Sequence, residues 1–196
     1  MGRKILCSLI IVLAIVNFSE AATQNPKVKN IVELFTRVNP KLSAKTAQNY
    51  ADIILQAGEK FKIEPYVIAA MIVHESTVNN KAVSKGGDYG LMQIRYKVHS
   101  KAIKQRFPKV KRASDMFDAR INIFFGCEIF SECYAKTKNV YDALKRYSAG
   151  NKKLADKVTA TVRELQAKDN KNSKNKNNKT NKSDNKNVNT KTRKGK

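Results

Sequence analysis

Apolar positions recur at spacings of three and four through the middle of the chain, the period of a helix with one buried face. The clearest run is Ala47, Tyr50, Ala51, Ile54 and Leu55. Ser43 stands ahead of it as an N-cap candidate, and Gly58 is expected to end it. Pro65 follows where a first helical turn accepts proline, and Tyr66 to Val73 is apolar on every side. That predicts a central, buried helix ending in His74-Glu75-Ser76. The next stretch, Thr77 to Gly90, is rich in turn formers and shows no strand-length alternation, although it leaves room for a short hairpin. Ile121, Phe124, Phe125, Ile129, Phe130 and Tyr134 predict a second strongly apolar helix capped by Asp118. Val140 to Tyr147 predicts a shorter one stopped by Gly150, and Leu154, Val158, Val162 and Leu165 form the inward stripe of a last one from about Lys152 to Ala167. No internal repeat is present, so the expected fold class is all-α: one compact helical domain with at most a minor β-hairpin.

Both ends break this pattern. Arg3 and Lys4 precede an apolar run from Ile5 to Val16, and Ser19 and Ala21 supply small residues, the order of a secretory signal cleaved after Ala21. The run is shorter than the ~20 apolar residues of a membrane span. Cys7, at the front of the run behind bulky Leu6, is out of place for a lipid-acceptor cysteine. From Lys168 to Lys196 the chain is nearly all Lys, Asn, Ser, Thr and Asp, with Val188 its single aliphatic side chain. Such a segment buries too little to offset ordering entropy of ~1–2 kcal/mol per residue, which predicts a disordered basic tail. The expected organisation is therefore a signal over 1–21, a domain over 22–167 and a tail over 168–196.

Charge adds a partner class. The formal charge of the 196-residue chain is +23. The tail holds eleven basic and two acidic residues and the signal two basic and one acidic, which leaves +13 on the domain itself. Polyanions are the implied partners: nucleic acid, anionic lipid or acidic wall polymer. Export takes the chain away from most nucleic acid, and the tail lacks aromatic residues for base stacking, so no specific nucleic acid is expected. Contact of the tail with an anionic wall or membrane surface is the electrostatic expectation. Cys127 and Cys133 lie six residues apart in a helical pattern, about 9 Å along the axis. That exceeds the ~7 Å limit for a bridge and predicts two separately buried thiols.

For chemistry, Glu75 stands out. A carboxyl at the end of an apolar helix is partly desolvated and lies near the negative end of the helix dipole, and both effects favour its protonated form. A general acid needs this. His74-Glu75 invites a zinc-protease reading, but that motif requires histidine at position 78, which is Val78. His74 and His99 make no evident metal site, and no metal or cofactor is assigned. There is no Gly-x-Ser-x-Gly elbow. Asp88, the single acid between Thr77 and Gly90, reads as a turn residue beside Gly87.

Together, Glu75-Ser76, Asn79, Ala82-Val83-Ser84 and Gly90-Leu91-Met92-Gln93-Ile94 closely resemble the signature of the soluble-lytic-transglycosylase (SLT) family, whose fold is goose-lysozyme-like. Asn122-Ile123 followed by Gly126, and Tyr147-Ser148-Ala149-Gly150, continue the resemblance, which covers roughly residues 50–155. It implies a lysozyme-like all-α domain in the periplasm or cell wall, acting as a lyase on peptidoglycan glycan strands. Glu75 would protonate the glycosidic oxygen of the N-acetylmuramic acid β-1,4-N-acetylglucosamine bond, then take the proton from the C6 hydroxyl as a 1,6-anhydro ring closes. The resemblance further implies substrate contacts from Ser84, Met92, Gln93 and Tyr147, the last with its hydroxyl approaching the acid. Arg95 and Ser148 depart from the usual pattern, and Arg95 is a candidate partner for lactyl or peptide carboxylates. A hydrolytic lysozyme using Glu75 with water, and a basic wall-binding protein without catalysis, remain alternatives. The small size points to service for an envelope-spanning secretion or conjugation apparatus.

Overall fold

The computed structural model describes residues 25–191, with side chains as far as Lys171. The signal expected over 1–21 and the last five residues of the expected tail lie outside the described residues.

Among the described residues, seven α-helices, a 3-10 turn and one small antiparallel hairpin follow in order: α1 (Pro26–Val38), α2 (Ala44–Phe61), α3 (Pro65–Ser76), β1 (Asp88–Tyr89), β2 (Ile94–Arg95), α4 (Tyr96–Arg106), the 3-10 turn (Ala113–Phe117), α5 (Ala119–Thr137), α6 (Val140–Tyr147) and α7 (Lys152–Lys191). This is the expected all-α, lysozyme-like class with its minor hairpin. The anticipated caps are in place. Ser43 Oγ accepts from the Thr46 N–H at 3.1 Å, Asp118 Oδ1 accepts from the Ile121 N–H at 2.9 Å, and Pro65 opens α3. Exchanging Ser43→Ala leaves the Thr46 N–H to water, and urea unfolding is expected to show a loss of about 1 kcal/mol with an unchanged m-value.

Packing explains why these elements assemble. Every residue from Tyr66 to Val73 is buried, so α3 is the rod around which α1, α2 and α7 close. A second layer forms where α5 packs between α2 and α6. Cys127 and Cys133 are both free and both buried, as their spacing predicts.

Four features differ from the sequence reading. Helix α1, not anticipated, carries Val28, Ile31, Leu34 and Phe35 inward behind an Asn25 cap and Pro26. Helix α4 was likewise not anticipated, since Ile103 is the single residue it buries. Gly58 does not end α2. The helix runs on to Phe61 and stops at Lys62 in the left-handed region (φ 56°). Gly58 instead lets the chain fold back, because a Cβ there would lie 2.7 Å from the Ile63 carbonyl oxygen. Finally, α7 runs past its expected end near Ala167. Leu165 is the last core residue on α7, yet Lys168 pairs with Glu33, and Asp169 accepts from the Asn30 amide at 2.7 Å.

Candidate active site

The end of α3 aims the acid. After Glu75 and Ser76, Thr77 (φ 51°) and Val78 (φ 60°) are both left-handed, which ends the helix abruptly. The Thr77 N–H still closes on the Val73 carbonyl at 3.0 Å, but the chain turns aside and the Glu75 side chain is left facing an open cleft of about 510 Å³. The hairpin, the first turn of α4 and the α6–α7 junction form its other walls.

Four of the five site residues anticipated from sequence, Glu75, Ser84, Gln93 and Tyr147, line this one cleft. Met92 does not. Its side chain is fully buried against Gly126, where a Cβ would come within 2.5 Å of the Met92 sulfur. What Met92 contributes is its carbonyl, which accepts the Tyr147 hydroxyl at 2.8 Å. The Tyr147 hydroxyl is thus bonded to backbone instead of to the Glu75 carboxyl. Burial first, and then the charge of Glu75, hold the Tyr147 phenol well above its ordinary pKa, so it remains a donor.

Electrostatics single out Glu75. Burial, followed by the like charge of Asp88, pushes its pKa up to about 7. Asp88 also lies in the cleft wall, so it is more than the turn residue expected. Cross-strand register places it opposite Arg95, whose guanidinium grips both its oxygens at 2.7 and 3.0 Å. Those hydrogen bonds hold the Asp88 carboxyl below its usual range, and Ser84 Oγ donates to it as well, at 2.8 Å. Ser84 Oγ also accepts from the Gly86 and Asp88 N–H groups, both at 3.1 Å, which knits the turn. Arg95, anticipated as a partner for carboxylates, therefore has one within its own hairpin. Replacing Asp88→Asn removes the like charge, and the Glu75 titration is expected to move to lower pH, read from the carboxyl carbon resonance by NMR.

A buried amide holds this wall in register. Asn122 on α5, 1% exposed, accepts from the Met92 N–H at 2.7 Å and donates to the Tyr89 carbonyl at 2.8 Å and the Met116 carbonyl at 2.9 Å. Gly90 (φ 77°) passes so close that a Cβ would sit 2.4 Å from the Asn122 amide nitrogen. One turn later, Gly126 receives the Met92 side chain. The Gly-Leu-Met-Gln and Asn-Ile-x-x-Gly motifs are thus two halves of one joint. Gln93 (φ 50°) closes the loop by donating to the Gly90 carbonyl at 2.9 Å.

Sequence reasoning missed Val98, His99, Ile129 and Leu154 as cleft residues. The first two come from the unanticipated α4, where a polar, weakly periodic stretch hides the helix. Burial lowers the His99 pKa, and its ring stands edge-on to Phe125 with centroids 5.7 Å apart. His74 points elsewhere, with Nε2 2.9 Å from Thr161 Oγ1. Among the described residues, no group of three or more His, Cys, Asp or Glu gathers to hold a metal ion, and no helix is long and apolar enough to cross a membrane.

Comparison with known proteins bears on this joint and cleft. The peptidoglycan-binding-like protein of Escherichia coli O157:H7 is 31% identical over 105 residues, covering 48% of this chain and 62% of that protein. Membrane-bound lytic murein transglycosylase E of Buchnera aphidicola subsp. Acyrthosiphon pisum is 27% identical over 124 residues, covering 62% and 54%. The endo-type membrane-bound lytic murein transglycosylase A of Klebsiella pneumoniae is 39% identical over 57 residues, covering 29% and 28%. The chain spans less than two thirds of the length of each of these relatives. The family model for the transglycosylase SLT domain matches residues 52–188, a span that takes in every cleft wall from α3 to α7. With that match covering well over half of its length, the chain belongs to the transglycosylase SLT domain family.

Proposed function

We propose that this chain is a peptidoglycan lytic transglycosylase with Glu75 as its single general acid and base. One observation carries the reading: a carboxyl with a pKa of about 7 faces the cleft, while the other carboxylate in the cleft wall, Asp88, is engaged by Arg95 and Ser84. Protonated Glu75 gives its proton to the glycosidic oxygen as the bond from C1 breaks. The C6 hydroxyl then attacks C1 and returns its proton to Glu75, closing the 1,6-anhydro ring without consuming water. Gln93 donates its amide N–H to the loop and leaves its side-chain oxygen for the sugar. Ser84 borders the same subsite, and Met92 acts from behind by holding Tyr147 through its carbonyl.

A second reading, a hydrolytic lysozyme, draws support from Asp88: a charged carboxylate beside the acid is what water activation or charge stabilisation requires. The products separate the two. Wild-type protein and Glu75→Gln are incubated with sacculi, and the soluble muropeptides are identified by mass spectrometry. Anhydro ends released by the wild type alone are expected. Reducing ends would establish the hydrolase, and Glu75-independent release or none would leave a non-catalytic wall binder.

The signal over 1–21 supports export to the periplasm or cell wall, and the +9 tail supports contact with an anionic wall or membrane surface. An envelope-spanning secretion or conjugation apparatus is the proposed partner, and co-purification of the full chain from envelope extracts tests it.

A further inference from the structure

Helix α4 begins at the cleft and runs out over the surface. Its Val98 and His99 line the cleft mouth, and Val98 is 67% exposed. Lys97, Lys101 and Lys104 follow at spacings of four and three, which places them on one face of the helix over about 10 Å. All three are exposed, and the buried Ile103 lies on a different side. The Tyr96 hydroxyl donates to the Lys111 carbonyl at 3.1 Å and folds the following segment back along the start of the helix, which brings exposed Lys111 to the same region.

These cations differ from the other basic groups nearby. Arg95 is held by Asp88, Arg106 by Glu128 and Arg112 by Asp115. From Lys97 to Lys111 the sequence contains no acidic residue. Among the described residues, no carboxylate lies in ion-pair range of Lys97, Lys101, Lys104 or Lys111. Like charges at adjacent helix positions repel, so the stripe weakens α4 unless an anion covers it.

We infer that the Lys97, Lys101 and Lys104 face of α4, with Lys111, is a docking rail for the carboxylates of peptide stems on the glycan strand held in the cleft. The inference rests on the proposed peptidoglycan substrate and adds which part of it is read. Continuity decides the occupant. A strand seated beside Glu75 and leaving past Val98 passes over the lysines, and its repeating peptide carboxylates supply the missing charge. A flat lipid surface does not enter the cleft mouth from which the rail departs. The rail favours strands that keep their stem peptides over bare glycan, and it makes that preference dependent on salt.

The test is sedimentation with intact sacculi, with sacculi whose carboxylates are capped as amides, and with anionic phospholipid vesicles, at 50 and 300 mM salt. The full chain is compared with Lys97→Gln/Lys101→Gln/Lys104→Gln and with a control of equal charge loss in the tail, Lys174→Gln/Lys176→Gln/Lys179→Gln. The rail variant is expected to bind intact sacculi about tenfold more weakly at low salt, the control within about twofold of wild type, and capping is expected to erase the difference. Equal binding by the rail variant and the wild type, a difference that survives capping, or a loss confined to vesicles overturns the inference. Because the readout is binding, failure of the cleavage chemistry leaves it intact: a chain that binds through the rail yet releases no anhydro ends would refute the transglycosylase and keep the rail. Circular dichroism shows whether the variant retains its helices.

Discussion

Glu75→Gln is expected to lose glycan cleavage by about a thousandfold or more while becoming more stable than the wild type above neutral pH. The loss follows from giving one side chain two proton transfers, with Asp88 already committed to Arg95. The gain follows from linkage. The folded-state pKa of Glu75 stands at about 7 against an ordinary 4.5, so the folded protein disfavours the ionised form that the unfolded chain adopts freely. This penalty is absent below pH 4.5, grows between 4.5 and 7 and is complete above 7. Glutamine fills nearly the same volume without charge and removes it. Allowing for partial exposure to solvent, the gain is about 1–2 kcal/mol at pH 8 and close to nothing at pH 4. Urea melts at both pH values check the stability, and the rate of anhydro-muropeptide release checks the chemistry. Wild-type cleavage should fall as pH rises through about 7, because the acid must be protonated to act. A variant that cleaves within tenfold of wild type would remove Glu75 from the reaction.

Asn122→Ala is expected to be the most damaging change to the fold among those considered. It strips partners from the Met92 N–H and from the Tyr89 and Met116 carbonyls in one step, in a place that is 1% exposed. Buried backbone groups left unpaired cost about 1–3 kcal/mol each, and the total, with some relief from water, is about 3–5 kcal/mol. For a domain of this size the melting temperature falls by roughly 10 °C. The cleft suffers before the fold is lost, because the Met92 carbonyl that holds Tyr147 is part of the same loop. Asn122→Asp keeps an acceptor for Met92 but loses both donated bonds, so calorimetry should place it below wild type. Loss of only about 1 kcal/mol in Asn122→Ala would mean that the joint between the two motifs is held by packing of Met92 on Gly126 instead.

The buried helices were legible because burial writes a period into sequence. α3 reads as apolar on all sides and is buried on all sides, and α5 begins at the Asp118 cap followed by an apolar repeat. Helix α4 buries Ile103 alone, so its pattern carried nothing to find. α1 was missed for a different reason: Val28, Ile31, Leu34 and Phe35 have the helical spacing, but charged neighbours dilute them. Within the cleft, residue types pointed to a carboxyl at the end of α3 but not to what surrounds it. The pairing of Asp88 with Arg95 depends on a strand register that brings residues seven apart face to face. The Tyr147 bond ends on a backbone carbonyl, which no side-chain motif encodes.

The left-handed residues that end the helices divide the molecule's scope for change. Lys62 and Lys138 are exposed and do no more than stop α2 and α5, so drift toward glycine there relieves strain and touches nothing in the cleft. Thr77 and Val78 hold the same conformation for another purpose, since their turn leaves Glu75 uncovered, and Val78 is also 1% exposed within the core. Lineages selected for heat tolerance can therefore relax the first pair freely, whereas at the second pair robustness and reactivity pull against each other.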